Sequence, residues 1–177
     1  MDIEQAIGLC LEGDQEAWNM IINSYSKLVY NIALGFTYNN DDASDIVQDI
    51  FLKLYKNLHK FNRDRSFKGW LIQLSKNYCI DYWRKNKKGR IKVELKENIA
   101  STNDTPELLN IKDSERQFLR NKIKVLEPEL KIILIMRDIE GMSYSSISDS
   151  LGIPEGTVKS RINRARIKLV KLIKEEV

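Results

Sequence analysis

The stretch Ser143-Tyr-Ser-Ser-Ile-Ser-Asp-Ser-Leu-Gly-Ile-Pro-Glu-Gly-Thr-Val-Lys-Ser-Arg161 predicts a short helix, a turn and a second helix. Ser143 can cap the first helix, because its hydroxyl can accept a hydrogen bond from a backbone N–H of the first turn. Gly152 suits the sharp turn, since glycine adopts a left-handed backbone at little cost. Pro154 fits the first position of the second helix, where its missing N–H is not needed. The segment therefore has the pattern of a helix-turn-helix.

The second of these helices is polar and basic on one side and apolar on the other. Its apolar stripe consists of Val158, Ile162, Ala165 and Leu169. The opposite face carries Thr157, Ser160, Asn163 and Arg164. The basic residues from Pro154 onward are Lys159, Arg161, Arg164, Arg166, Lys168, Lys171 and Lys174. A solvated basic helix is the plainer interpretation, but the turn chemistry and the one-sided charge favour a helix that reads the major groove.

Composition limits the kind of protein this is. The chain has 177 residues, 42% of them hydrophobic and 31% charged, which is enough for one or two small globular domains. No run is long and apolar enough to cross a bilayer and no signal peptide is recognisable, so we expect a cytoplasmic protein. Cys10 and Cys79 lie far apart without metal-binding neighbours. We therefore expect neither a metal site nor a disulfide, and no cofactor.

The net charge of +4 conceals a strong asymmetry along the chain. From Met1 to Ile50 there are nine acidic residues and one basic residue, Lys27. From Lys60 to Lys92 there are eleven basic residues and two acidic ones. Such asymmetry predicts separate surfaces for separate partners, one of them a polyanion.

Helical periodicity runs through almost the whole chain, and the alternating patterns that predict strands are missing. Asp14 is predicted to cap one helix and Asp41 a second, which ends near Leu58. Ser66, after a charged loop, is predicted to cap a third helix that ends near Arg84. In this third helix we expect Phe67 and Trp70 in the core, and Ile80 and Trp83 on the surface. We expect an all-α fold.

The stretch from Asn86 to Thr105 loses the apolar period and ends in polar, turn-prone residues, as linkers do. New helices are predicted to start at Pro106 and at Pro128, and the helix-turn-helix pair completes a second unit. The sequence thus predicts two small helical domains, residues 1–92 and 106–177, joined by a flexible linker at 93–105.

Three segments together resemble a known family. They are Asp42–Phe51, Phe67–Asn77 continuing to Asp81, and Ile153–Arg161. In this order and over this length they closely resemble the extracytoplasmic-function (ECF, group 4) class of bacterial RNA polymerase sigma factors. The resemblance implies a region 2-like and a region 4-like domain in a factor that binds core RNA polymerase and directs promoter-specific transcription initiation. Ser148 departs from the pattern, which usually has Ala there, but its hydroxyl can bond to a backbone carbonyl.

The resemblance also implies that different surfaces of the first domain bind different partners. One helical face would bind core polymerase, with Asp45, Gln48, Asp49 and Leu52. The charged loop would accept a base flipped out of the −10 element, and the following helix would hold the adjoining phosphates and base edges. These −10 residues are Asn62, Arg63, Asp64, Arg65, Ser66, Lys76, Asn77, Arg84 and Lys85.

The second domain would read the −35 element. The residues that the resemblance implies for this role are Thr157, Lys159, Ser160, Arg161, Asn163, Arg164 and Lys168. It also implies a cognate anti-sigma factor as a further partner, no membrane contact and no enzymatic activity.

Three alternatives remain open at this point. A helix-turn-helix repressor or response-regulator effector would bind a palindrome as a dimer without polymerase. An enzyme is the second, but the chain offers no Ser/His/Asp set, phosphate loop or metal cluster, and His59 is its single histidine. A structural adaptor is the third, and it would not need two separate basic surfaces.

Overall fold

The computed structural model describes residues 2–37, 39–93 and 111–175, without the side chains of 87–93 and 111–117. Helices account for nearly all of these ranges, and no strand occurs within them. The helices are α1 (Ile3–Leu11), α2 (Gln15–Leu34), α3 (Asn40–Asn57), α4 (Phe67–Val93), α5 (Ile111–Val125), α6 (Pro128–Leu134), α7 (Tyr144–Leu151) and α8 (Glu155–Lys174). A 3-10 turn, Leu58–Lys60, follows α3, and a π-helical turn, Ile135–Ile139, extends α6. The predicted start at Pro106 and the linker beyond Val93 lie outside the described residues.

Capping side chains fix where the N-terminal helices begin. Asp14 and Ser66 each accept a hydrogen bond from the backbone N–H three residues on, at 2.8 and 3.2 Å. The prediction of Asp41 as the cap of the second helix is wrong, because the Asn39 side chain accepts from the Asp42 N–H at 2.7 Å. Asp41 lies instead in the first turn of α3, where a carboxylate favours the positive end of the helix dipole.

Two helical segments differ from the sequence prediction. Helix α1 was missed, although Asp2 and Gln5 form a reciprocal capping box that starts it. It buries Ala6, Ile7 and Cys10. Helix α4 was predicted to end near Arg84 but continues to Val93. Neither glycine nor proline occurs between Arg84 and Gly89, so backbone propensity allows the extension even where the apolar period fades.

The N-terminal unit is a bundle in which α2 packs on α1, α3 and α4. Its fully buried side chains lie at helical spacing on the facing sides of these helices. They include Ile21, Val29, Ile32, Ala43, Ile50, Leu54, Leu71 and Ile72. At the open end of the bundle Phe67 is buried, as predicted, and Trp70 is half-buried against it.

The C-terminal unit packs α8 against α6, and α7 against α8 and the π-helical turn, as the predicted helix-turn-helix. Ser143 caps α7 by accepting from the Ser146 N–H at 3.0 Å, and Gly152 ends it with a left-handed φ of 65°. The Ser148 hydroxyl donates to the carbonyl of Ile153 at 2.6 Å, across the turn. This bond explains how serine is accommodated where the pattern usually has alanine.

The two units pack together. Helix α7 contacts α4, α2 contacts the π-helical turn, and the buried residues of both units form one continuous hydrophobic cluster. Within the described ranges, no helix is long and apolar enough to cross a membrane.

Candidate functional surfaces

The exposed face of α3 carries the four residues predicted to bind polymerase. Asp45, Gln48, Asp49 and Leu52 are all exposed, and Leu52 keeps 58% of its surface in solvent. The two carboxylates differ, because the Tyr78 hydroxyl of α4 donates to Asp49 Oδ2 at 2.5 Å. This hydrogen bond is the main cause that raises the pKa of Tyr78 to about 12. It fixes the direction of the Asp49 carboxylate.

An apolar groove of about 440 Å³ adjoins this face between α2 and α3. Its exposed rim includes Leu52 and Tyr55, and the Tyr55 ring lies 4.9 Å from that of Trp18. The groove is completed by Ile22, Ser26, Val47, Gln48 and Phe51. The sequence analysis missed it, although Tyr55 stands three residues after Leu52 and therefore on the same side of the helix.

The loop 62–66 is exposed and shaped by its own backbone and side chains. Asn62 Oδ1 accepts from the Asp64 N–H at 2.9 Å, and the Asn62 carbonyl accepts from the Arg65 N–H at 3.1 Å. The Asn62 side chain therefore holds the turn and does not point freely outward. Asp64, Arg65 and Ser66 remain exposed on the loop.

Aromatic side chains anchor both ends of this loop. Phe61 meets Phe67 edge-on, with ring centroids 5.4 Å apart, and lies 5.1 Å from Trp70. Beside this cluster, a pocket of about 210 Å³ opens between the loop and α1. The cations around it, Arg63, Arg65 and Lys68, form no ion pair within the described residues. The pocket thus combines an aromatic wall with three cations and one acidic residue, Glu4.

Further along α4, Asn77, Arg84 and Lys85 are exposed and Lys76 is half-buried. Arg84 lies 3.9 Å from Asp81, and both side chains are more than half exposed.

Ile80 and Trp83 were expected on the free surface, and this expectation is wrong. Both are half-buried and line a cleft between α4 and the C-terminal unit. Their side of α4 faces α6 and α8, which sequence periodicity could not reveal.

Helix α8 buries Val158, Ile162 and Ala165, as predicted, with Leu169 half-buried. On its outer side Lys159, Ser160, Asn163 and Arg164 are exposed, and Thr157, Arg161 and Lys168 are half-buried.

Acidic residues near the start of α6 and in the π-helical turn pair with cations of α8. Arg161 Nη2 lies 3.2 Å from Glu129, and Arg166 Nη2 lies 2.5 Å from Asp138. Lys168 pairs with Glu127. The hydrogen bond from Lys168 is the main cause that lowers the pKa of Glu127. Part of the positive charge of this helix is therefore already compensated within the unit.

Neither cysteine has the setting of a reactive thiol. Burial raises the pKa of Cys10 to about 11 and that of Cys79 to about 12, so both stay protonated near neutral pH. In the part of the chain that the structure describes, no group of three or more His, Cys, Asp or Glu side chains could hold a metal ion.

Comparisons with known proteins identify the family. Residues 21–89 match Sigma-70 region 2, and residues 117–169 match Sigma-70, region 4. The ECF RNA polymerase sigma-E factor of Escherichia coli K12 is 30% identical over 164 residues, 88% of this chain and 85% of that protein. The chain belongs to the ECF RNA polymerase sigma factors. SigE of Mycolicibacterium smegmatis is also 30% identical, and the match spans 63% of its length.

Two solved structures share the fold of this ECF sigma factor. CnrH, solved in complex with the cytosolic domain of CnrY, matches 99% of this chain and all of its own, with a TM-score of 0.72 and 22% identity. RpoE of Bartonella quintana, solved with the anti-sigma factor NepR, matches 88% of this chain and 96% of its own, with a TM-score of 0.61 and 24% identity.

Membership of this family defines the general function. The protein directs promoter-specific transcription initiation by RNA polymerase, with core polymerase and promoter DNA as its partners. This membership rules out the repressor and the structural adaptor as alternatives.

Proposed function

We propose that this ECF sigma factor binds core polymerase through the α3 face and adjoining groove, opens the −10 element with the loop 62–66, and reads the −35 element with α8. The N-terminal unit, residues 1–92, takes the region 2 role and residues 106–177 take the region 4 role, with 93–105 linking them. The matched family ranges, 21–89 and 117–169, support this division. The protein acts as an initiation factor without catalytic activity of its own.

The observation that carries the polymerase assignment is the combination of charge and apolar surface on α3. A carboxylate held by Tyr78 stands beside an exposed leucine and an apolar groove rimmed by Tyr55. Interfaces gain most of their affinity from a few buried apolar anchors, and charged pairs around them add specificity. The α3 face offers both, toward a partner that presents basic and apolar side chains.

The −10 assignment rests on the pocket beside the loop 62–66. A base taken out of the helical stack loses a few kcal/mol of stacking and pairing, which aromatic contacts and hydrogen bonds can offset. The Phe61–Phe67 cluster supplies the aromatic contact, and Arg63, Arg65 and Lys68 supply charge for the flanking phosphates. Asn77, Arg84 and Lys85 extend this basic surface along α4.

The −35 assignment rests on the exposed, unpaired side chains of α8. Arg164 is exposed and forms no ion pair within the described residues, and the neutral amide of Asn163 is exposed beside it. Such groups can contact base edges in the major groove, while Lys159 and Ser160 are placed for phosphates.

A cognate anti-sigma factor is the remaining proposed partner. The structural similarity to CnrH and RpoE, each solved with a protein bound, supports this proposal. Such a factor would compete for the surfaces that polymerase and DNA use.

The experiment that tests the polymerase assignment reverses the charge of two side chains on α3. The double variant Asp45→Lys/Asp49→Lys should lose at least about tenfold in affinity for core polymerase, since interface anchors typically contribute about 2 kcal/mol or more. Affinity is measured by fluorescence anisotropy with labelled sigma and purified core enzyme. Glu12→Lys/Glu16→Lys changes the charge equally at exposed positions away from this face and should bind normally. Wild-type affinity of the α3 variant would refute the assignment.

A further inference from the structure

Helix α1 contributes one side of the pocket beside the loop 62–66. Ile3, Glu4 and Ile7 of this helix line the pocket. The helix packs on α2 and on the 3-10 turn that precedes the loop, and its capping box fixes where it begins. The match to Sigma-70 region 2 starts at residue 21, so α1 lies outside that match. The chemistry of this side of the pocket therefore does not follow from the family match.

Glu4 presents a carboxylate to this pocket. Its side chain is exposed, and it forms no ion pair with any of the described residues. Arg63 lies on the same face of α1, since its Nη2 would be 3.7 Å from a Cβ on Gly8, one turn after Glu4. A hydrogen-bond acceptor and a donor thus stand near each other at the pocket without being paired.

The carboxylate is not suited to binding a phosphate. Arg63, Arg65 and Lys68 surround the same pocket, and each of them attracts phosphate. A carboxylate among these cations repels phosphate, because the two charges have the same sign. It accepts hydrogen bonds and has no proton to donate, so its complement is an N–H group. In DNA the N–H groups belong to the bases and not to the backbone. Glu4 is therefore suited to contact a base.

The DNA bases differ in what they offer to such an acceptor. Cytosine, adenine and guanine each carry an exocyclic amino group, whereas thymine has none. In each of the three, a ring nitrogen that accepts a hydrogen bond stands next to the carbon that carries the amino group. The N3–H of thymine lies between two carbonyl oxygens, which a carboxylate repels. Since a flipped base is recognised on its pairing edge, an acidic side chain there disfavours thymine.

We propose that Glu4 makes the pocket select a base with an exocyclic amino group and exclude thymine. Glu4 accepts from the amino group, while Arg63 donates to the neighbouring ring nitrogen. The pocket of about 210 Å³ is smaller than the roughly 300–1,000 Å³ of sites for drug-sized ligands, so it suits a single base. The proposal rests on the proposed role of the loop 62–66 in opening the −10 element. It adds that α1 sets one base of the −10 sequence.

A thymine scan of an opened promoter tests this selection. One active promoter is found by run-off transcription with core polymerase on genomic DNA of the source bacterium. In synthetic copies the −10 bases of one strand face abasic sites and stay unpaired, and each amino-bearing base is replaced in turn by thymine. At one position the replacement should weaken binding of the wild-type sigma–polymerase complex at least about tenfold. For Glu4→Ala the same replacement should weaken binding by less than about threefold.

Base analogues remove the amino group alone. At the position found by the scan, cytosine is replaced by pyrimidin-2-one, adenine by purine, or guanine by hypoxanthine. The loss of affinity should be at least about fivefold for wild type and less than about twofold for Glu4→Ala. Combining the change in the protein with the change in the base isolates the contact between the carboxylate and the amino group.

Other glutamate variants separate base selection from a structural role. Glu4 lies in the first turn of α1, where its charge favours the helix dipole, and loss of that interaction would affect all templates alike. Glu12→Ala removes an exposed glutamate at the other end of α1, outside the pocket, and should give the wild-type scan. Glu4→Gln keeps an acceptor and adds a donor for the O4 of thymine, so it should tolerate thymine and still bind the amino-bearing base.

The outcomes distinguish this proposal from the proposed function. Identical scans of wild type and Glu4→Ala would overturn the role of Glu4, and so would the lack of thymine exclusion at every position. Promoter opening is measured separately on duplex DNA with a fluorescent base. Wild-type opening by Arg63→Ala/Arg65→Ala would refute the proposed −10 role of the loop 62–66, and the base selection with it.

Discussion

The two basic surfaces of this sigma factor differ in how much of their charge is free. Around the loop 62–66, the cations Arg63, Arg65 and Lys68 form no ion pair within the described residues. On α8, four of the cations are paired with acids of the same unit; these are Arg161, Arg166, Lys168 and Lys171. A basic run in a sequence therefore gives the number of charges, but not how many are available to DNA.

The difference has a structural origin. Helix α6 begins with Glu127 and Glu129, whose carboxylates are favourable near a helix N-terminus and lie within reach of α8. They hold the recognition helix in place as well as compensating its charge. The loop 62–66 instead projects beside α1, and its shape is held by Asn62 and the aromatic cluster. The cations beside the loop are therefore available to bind an anionic ligand.

The largest expected effect concerns the free arginine of α8. Arg164→Ala should weaken binding to the cognate −35 duplex by about 1–3 kcal/mol if the guanidinium contacts a base edge. Binding to random duplex should change far less. Arg166→Ala, on a cation already paired with Asp138, is the matched control. Titration of both variants with cognate and random duplexes measures these affinities. An equal loss of affinity on both DNAs would show that Arg164 contacts a phosphate and not a base edge.

Lys131 differs from the cations of both basic surfaces, because it is buried between the units. It is 1% exposed, its Nζ donates to the Lys124 carbonyl at 2.9 Å, and the Phe36 ring centroid lies 4.6 Å away. Burial is the main cause that lowers the pKa of Lys131 to about 8; the charge of Lys124 lowers it further and Cys79 opposes the shift. The charged form is therefore disfavoured in the folded protein.

The sign of the pH effect follows from this pKa. Between about pH 8 and pH 10.5 the unfolded chain holds the Lys131 proton and the folded protein does not, so the contribution of Lys131 to stability should rise with pH in this window. The gain should be about 1–2 kcal/mol. Urea unfolding at pH 8 and pH 10 measures it. In Lys131→Met this part of the pH dependence should be missing, and an identical pH profile of the two proteins would contradict the assignment.

How far the sequence could predict the structure depends on whether the determinants are local. The Ser143 cap, the Gly152 turn and the Val158 stripe were predicted and are confirmed, since each depends on neighbours a few residues away. The burial of Lys131 and Trp83 was not predictable, because it depends on a contact between distant segments.

The candidate surfaces divide in the same way. The exposure of Asp45, Asp49 and Leu52 followed from helical periodicity on α3. The Tyr78 bond to Asp49 could not be foreseen, because it joins two helices across their packing angle. The pairing of Arg161 and Lys168 escaped prediction for the same reason. No periodicity within α8 indicates which acid stands opposite.

The smallest expected effect tests the comparison of the two basic surfaces directly. Each side-chain cation that neutralises a phosphate releases a counterion and contributes about 0.9 to the slope of log affinity against log salt concentration. Arg63→Ala/Arg65→Ala removes two free cations and should lower the slope by about 1.8 on random duplex between about 50 and 200 mM salt. Arg161→Ala/Lys168→Ala removes the same formal charge but also frees Glu129 and Glu127. Because these cations must leave their acids before they meet a phosphate, the slope should fall by less than about 0.9. Anisotropy titrations of both double variants measure the two slopes, and equal decreases would show that the ion pairs of α8 do not limit its charge toward DNA.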